Sequence, residues 1–194
     1  MKALLRLLLV SCLLMTHVQS ATTVLTWHNA QAAQQLAGPI KQLFVPFFQS
    51  MYAHLTEADL CLAGKFATKA DWLTTVANNL ANDLQDPAKN LYLVTASTNN
   101  NLVGFAVFNH TATPGMMHLK QFALSDTAPD LPVAQQLVDA IFAKVPTIER
   151  LIVGVRKVNT LGAALYKNLG FVPAASPENH DANIFDGLVR LGPA

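Results

Sequence analysis

Apolar residues recur along this chain with two different periods, and the points where one period gives way to the other mark out its elements. Residues 22–27 alternate polar and apolar in a β-prone composition, which predicts a short opening strand. Helices follow. Gly38-Pro39 opens an apolar segment running to Leu55, with Pro39 tolerable in a first turn and Pro46 expected to kink or break it. Over residues 69–84, Trp72, Leu73, Val76, Leu80 and Leu84 share one helical face. Residues 91–97 and 102–108 are β-rich runs around Asn99-Asn100-Asn101, residues that accept the positive torsions of a hairpin turn, so the two runs pair antiparallel. A further strand is predicted over 116–124.

Beyond it, Val133, Ala134, Leu137, Val138, Ile141 and Phe142 form the inner side of a helix over 132–145, with Asp130 near its cap and Pro146 ending it. Residues 151–155 are apolar without alternation, as in a central strand covered on both faces. Asn159 then reads as an N-cap, Leu161, Leu165 and Leu169 as an apolar face, and Gly170 as a left-handed stop before Phe171 re-enters a sheet. Residues 171–173 and 184–191 close the order: strand, helix, helix, three strands, helix, strand, helix, two strands. No internal repeat or low-complexity tract interrupts it.

Composition narrows the classes. A 52% hydrophobic fraction in 194 residues suffices for one core, and nothing in the length asks for a second domain. Charged residues are only 13%, with no basic run longer than Arg156-Lys157, which argues against a nucleic-acid partner. The six histidines show no metal-ligand spacing, so no metal site is expected. Residues 1–20 read as a secretory signal: Lys2 and Arg6 begin it, Leu7 to Met15 form its apolar core, and Val18-Gln19-Ser20 fits a cleavage site before Ala21. The expected product is an exported, periplasmic or secreted single domain over 21–194 with no membrane attachment. An uncleaved anchor is the rival, though a span needs about 20 apolar residues; Leu9-Val10-Ser11-Cys12 also has the look of a lipoprotein box. Cleavage removes two of the 13 cations and none of the 12 acids, leaving a net charge of −1. Cys61 is then the only cysteine, so no internal disulfide forms. It reads as a small buried hydrophobe, with a nucleophile or an intermolecular disulfide partner as alternatives.

The residues Asn159, Gly162, Leu165, Tyr166, Gly170 and Phe171 carry a pattern, Asn-x-x-small-x-x-Leu-Tyr-x-x-x-Gly-Phe, that resembles the late motif of the GNAT superfamily of N-acetyltransferases. The turn followed by Leu102-Val103-Gly104-Phe105-Ala106 is similar to the central hairpin of that family, and the element order matches it over the mature chain. The resemblance implies an α/β (α+β) fold with a mixed, mainly antiparallel sheet of about six or seven strands and four helices, splayed between strands 4 and 5. It further implies that acetyl-coenzyme A lies in that gap, with the amide near Leu124 at its acetyl group. Asn159, Gly162 and Leu165 would stand beside the pantetheine arm, and Tyr166 would protonate the departing thiolate. The acceptor would be a small amine or a peptide or protein amine.

Two further expectations follow from the resemblance. His118 stands six residues before Leu124, the offset at which histone-type members resemble one another in carrying a glutamate, and it alternates with Lys120, Phe122 and Leu124. That makes it the candidate base, against the alternative of a structural histidine. The family's Gln/Arg-x-x-Gly-x-Gly/Ala phosphate loop corresponds to Pro129-Asp130-Leu131-Pro132-Val133-Ala134, of which only Ala134 conforms. Pro132 deletes a backbone donor and Asp130 repels pyrophosphate within a Debye length of about 8–10 Å. The chain therefore reads either as an exported acyltransferase that holds its cofactor mainly by pantetheine, or as a GNAT-fold module that binds without catalysing.

Overall fold

The computed structural model describes residues 22–60, 62, 64–125, 131–175 and 184–192. The leader expected over 1–20, Cys61 and Pro129-Asp130 lie outside the described residues. Seven strands and four α-helices follow in the order β1 (Thr23–His28), α1 (Ala30–Tyr52), α2 (Lys69–Gln85), β2 (Tyr92–Thr98), β3 (Asn101–His110), β4 (Met116–Leu124), α3 (Leu131–Lys144), β5 (Arg150–Arg156), α4 (Thr160–Asn168), β6 (Val172–Ala174) and β7 (Phe185–Leu191). They form one sheet in the order β1-β2-β3-β4-β5-β7-β6, with every neighbouring pair antiparallel except β4 and β5. This is the mixed α/β architecture that the resemblance implied.

Alternation within the strands divides the core between two faces. Leu93, Phe105, Val107 and Ala123 turn toward α1 and α2, where Ala33, Ala37, Ile40, Phe44, Ala77 and Leu80 meet them. Val94, Ala106, Phe108, Met117 and Leu119 turn the other way, onto the buried side of α3 and onto Leu165 and Tyr166 of α4. The β2–β3 turn is as read: Asn99 and Asn100 have φ of 51° and 63°, the positive pair of a type I′ hairpin.

Two expectations are corrected. Gly38-Pro39 does not open the first helix; α1 begins at Ala30, capped by Asn29, whose side chain accepts from the Ala32 N–H at 2.9 Å, and runs through both prolines. Each proline deletes a bond to the carbonyl four residues back, at Gln35 or Gln42, and both of those residues are exposed, which lowers the cost of the lost bond. The buried stripe on the opposite side carries the helix across. In α4 the Leu161/Leu165/Leu169 face is divided, with Leu169 fully buried and Leu161 50% exposed.

Candidate active site

The parallel pair β4/β5 is hydrogen-bonded only at its start. The ladder joins Met116 to Arg150, Met117 to Leu151 and His118 to Ile152, and then stops while both strands continue, β4 to Leu124 and β5 to Arg156. Beyond His118 a wedge opens in the sheet. A β-bulge adds to the divergence: Phe108 pairs with Leu119 and Val107 with Gln121, leaving Lys120 as an extra residue on β4. A cavity of about 240 Å³ fills the wedge and passes through the sheet. Its walls are Gln121 and Phe122 of β4, Val153 and Gly154 of β5, Phe47, Met51 and Tyr52 of α1, Trp72 of α2, and Asn159, Gly162, Leu165 and Tyr166 at the start of α4. A second cavity of about 420 Å³ shares Phe47, Met51 and Leu165 with it and continues past Leu124 and Ser125 to Leu131 at the head of α3 and Leu161 of α4. The two together make a path from the head of α3 into the wedge.

Local chemistry places the α4 residues. The Asn159 side chain accepts from the Gly162 N–H at 2.8 Å, capping the helix, and Asn159 is 4% exposed. Gly162 is glycine because Asn159 folds over it: a Cβ there would stand 2.7 Å from Asn159 Nδ2 and 3.0 Å from its Cγ. At the other end, Gly170 takes φ +82°, and its N–H and that of Phe171 bond the carbonyls of Lys167 and Tyr166, both at 3.0 Å, closing a Schellman motif. Phe171 also meets the Tyr166 ring edge to face, centroids 5.4 Å apart. Tyr166 is thus held through its carbonyl and its ring in the wall of the cavity. Burial pushes its hydroxyl's pKa far above the ordinary 10.0, and the nearby Tyr52 adds to the rise. It keeps its proton at physiological pH.

Opposite Tyr166, the last turn of α1 contributes Tyr52, 7% exposed. An aromatic stack positions it: Phe44 on Phe48 at 4.7 Å, Phe48 on Tyr52 at 4.6 Å, and Tyr52 edge-on to Trp72 at 5.1 Å. Lys69 of α2 fixes the helix end, donating to the carbonyls of Tyr52, Ala53 (3.3 Å) and Leu55 (2.8 Å). Burial raises the Tyr52 pKa, while a hydrogen bond with the Asn159 side chain and the charge of Arg156 draw it back. Arg156 lies against the rings of Trp72 (5.0 Å) and Phe185 (5.2 Å) and donates to the Leu60 carbonyl at 2.7 Å. Among the described residues no carboxylate or imidazole lines the wedge cavity, and no group of three His, Cys, Asp or Glu side chains is arranged to hold a metal ion.

Of the residues singled out by sequence, the structure brings together Asn159, Gly162, Leu165 and Tyr166 around one cavity and puts Leu124 on the adjoining one. Ala134 is fully buried on the inner side of α3 and lines neither. His118 lies where β4 and β5 are still joined and lines neither cavity. The expected common face of His118, Lys120, Phe122 and Leu124 is corrected: the bulge at Lys120 reverses the alternation. Asn109 pairs with His118 on the side of α1 and α2, where Lys120 meets Asp83 at 2.6 Å. Phe122 pairs with Ala106, and Phe122 and Leu124 enter the core under α3. Tyr52 and Arg156 had not been singled out. The run Phe47-Phe48-x-x-Met51-Tyr52 was the available signal, an aromatic cluster crowded onto the end of one helix.

The comparisons agree with this geometry. A search of curated protein sequences found no match. Among solved structures, the chain is similar to the PaiA N-acetyltransferase of Thermoplasma acidophilum, determined with coenzyme A (TM-score 0.62, 13% identity, covering 88% of this chain and 99% of that one). It is also similar to apo YjaB of Escherichia coli (0.57, 15%, 87% and 95%) and to an aminoglycoside 6′-acetyltransferase type Ii (0.55, 10%, 87% and 96%). At these identities the likeness is one of fold. The model of the acetyltransferase (GNAT) family matches residues 48–171, from the aromatic stack of α1 to the Phe171 that braces Tyr166, and the chain belongs to that family.

Proposed function

We propose that this protein transfers an acyl group, acetyl first among the candidates, from acyl-coenzyme A to a primary amine, directly and without a covalent enzyme intermediate. The observation that carries this reading is the wedge beyond His118 and Ile152, with Tyr166 and Asn159 in its wall and a path leading to it. Positioning supplies most of the rate: the wedge holds the thioester against β4, and the acceptor enters from the side of α1 and α2. Tyr166 donates a proton to the departing sulfur; a thiolate leaving in the same largely buried cavity is itself poorly solvated and takes the proton readily. The cavity's size and its aromatic wall suit a small amine or a single amine-bearing side chain. Support from relatives is of the same kind, since PaiA was determined with coenzyme A and another relative is named for acetylating an aminoglycoside. Residues 1–20 are proposed as a removed export signal, which the first residue of the protein recovered from its native cell tests: Ala21 is expected, and Met1 overturns it.

One observation favours a binding module without catalysis. Pro132 stands in the first turn of α3, where the pyrophosphate of a bound cofactor would look for backbone N–H groups, and offers none. Calorimetry with acetyl-coenzyme A separates the two: saturation in the micromolar range supports the enzyme, and no response at millimolar ligand rejects it.

A further inference from the structure

The amine that attacks must shed a proton and the departing sulfur must gain one, and the described wall of the wedge offers neither carboxylate nor imidazole for either task. Its titratable side chains are Tyr52, Tyr166, Lys120 and Arg156. Lys120 is paired with Asp83 at 2.6 Å, and a guanidinium keeps its proton. Two phenols remain, one delivered by α1 from the acceptor side and one by α4 from the thioester side. Asn159 stands in the same wall, its side chain hydrogen-bonded to Tyr52. Resting on the acyl-transfer reading above, we propose that Tyr52 and Tyr166 form a proton relay from the acceptor nitrogen to the departing sulfur, with Tyr52 the member that takes the proton from nitrogen.

In the step, a nitrogen–carbon bond forms at the carbonyl and the carbon–sulfur bond breaks, sulfur keeping the electron pair. Tyr166 gives its proton to that sulfur and regains one from Tyr52, directly or through a water the cavity can hold. The nitrogen, positively charged once bonded to carbon, gives its proton to the Tyr52 oxygen. One proton has moved from nitrogen to sulfur, both phenols end as they began, and no external base is consumed. Burial opposes negative charge on both phenols, and Tyr52 opposes it further on Tyr166, whereas Asn159 and Arg156 partly ease it on Tyr52. Asn159 and Arg156 are thus the groups that can steady the charge on Tyr52 while its proton passes to Tyr166.

The test compares the wild-type protein with Tyr52→Phe, Tyr166→Phe and the double variant, each of which keeps its ring packing. Thermal shift with acetyl-coenzyme A is measured first, then thiol release with hydroxylamine as the acceptor probe, in H₂O and D₂O. Acetyl-coenzyme A is expected to stabilise all four proteins alike. Each single change should lower turnover about 10²-fold, and the double no further than the slower single, because one cut breaks a relay as fully as two. The solvent isotope effect of the wild type should shrink in both single variants. Unchanged turnover or an unchanged isotope effect in Tyr52→Phe overturns the relay, and so does a double variant that falls by the product of the singles, as a merely structural Tyr52 would give. Binding without thiol release by the wild type also overturns it. An absence of stabilisation by acetyl-coenzyme A overturns the acyl-transfer reading itself.

Discussion

Replacing Gly162 by alanine should destabilise the wild-type protein yet stabilise a variant that lacks the Asn159 side chain. In the native structure the added Cβ would lie 2.7 Å from Asn159 Nδ2 and 3.0 Å from Cγ, with no other atom closer than Oδ1 at 3.3 Å. The asparagine must therefore move. It loses the cap to the Gly162 N–H, about 1 kcal/mol, and its bond to Tyr52, about 1 kcal/mol more. Against this, alanine gains about 1 kcal/mol over glycine within a helix. The net is a loss of about 1 kcal/mol, or about 2–4 °C in Tm for a domain of this size. With Asn159→Ala already made, both bonds are gone and the obstacle with them, so only the helix gain remains and Tm should rise by about the same amount. Urea titrations and thermal melts of the four proteins give a double-mutant cycle with an expected coupling of about 2 kcal/mol. Equal destabilisation in both backgrounds would refute the account of why this motif carries a glycine.

Four other outcomes are expected. Lys69→Met should lower stability by about 1.5–3 kcal/mol, because a charged donor to three carbonyls at the end of α1 is lost; an unchanged urea midpoint would show that the carbonyls find water instead. Gly104→Ala should cost about 1–3 kcal/mol by overpacking, since its Cβ would meet Leu124 and Leu137 at 2.9 Å each, and circular-dichroism melts report it. Pro132→Gly should tighten acetyl-coenzyme A binding about tenfold or more in calorimetry by restoring a donor to the cofactor's charged phosphates; equal affinities would put the phosphates elsewhere. Finally, Tyr52 and Tyr166 both hold their protons more firmly folded than unfolded. Their contribution is complete below the ordinary phenol pKa of 10.0 and declines as pH rises past it, by up to about 1.4 kcal/mol per pH unit for each group. Denaturation midpoints between pH 8 and 11 should fall more steeply for the wild type than for the Tyr52→Phe/Tyr166→Phe protein.

Local patterning was enough for most of the scaffold. The β4 boundaries, the type I′ turn at Asn99-Asn100, the Asn159 cap and the Gly170 stop are each specified by a few adjacent residues whose torsions and short-range bonds decide the outcome. The start of α1 was not legible, because Gly38-Pro39 is a strong local punctuation that only the stripe from Ala33 to Phe44, buried against the sheet, overrides. The common face given to His118, Lys120, Phe122 and Leu124 failed for a related reason. Strict alternation along β4 assumes one residue opposite one, and the bulge at Lys120 is a property of how β4 pairs with β3.

The sequence alone determined the kind of elements, their order and the late motif from Asn159 to Phe171, since helix caps, hairpin turns and amphipathic periods act over a few residues. Only the tertiary structure decided where β4 and β5 part, that Tyr52 from the end of α1 faces Tyr166 from α4, and that Lys69 and the aromatic stack hold it there. Tyr52 and Tyr166 stand more than 100 residues apart in the sequence, and their meeting in one cavity depends on the packing of the whole sheet between its helices.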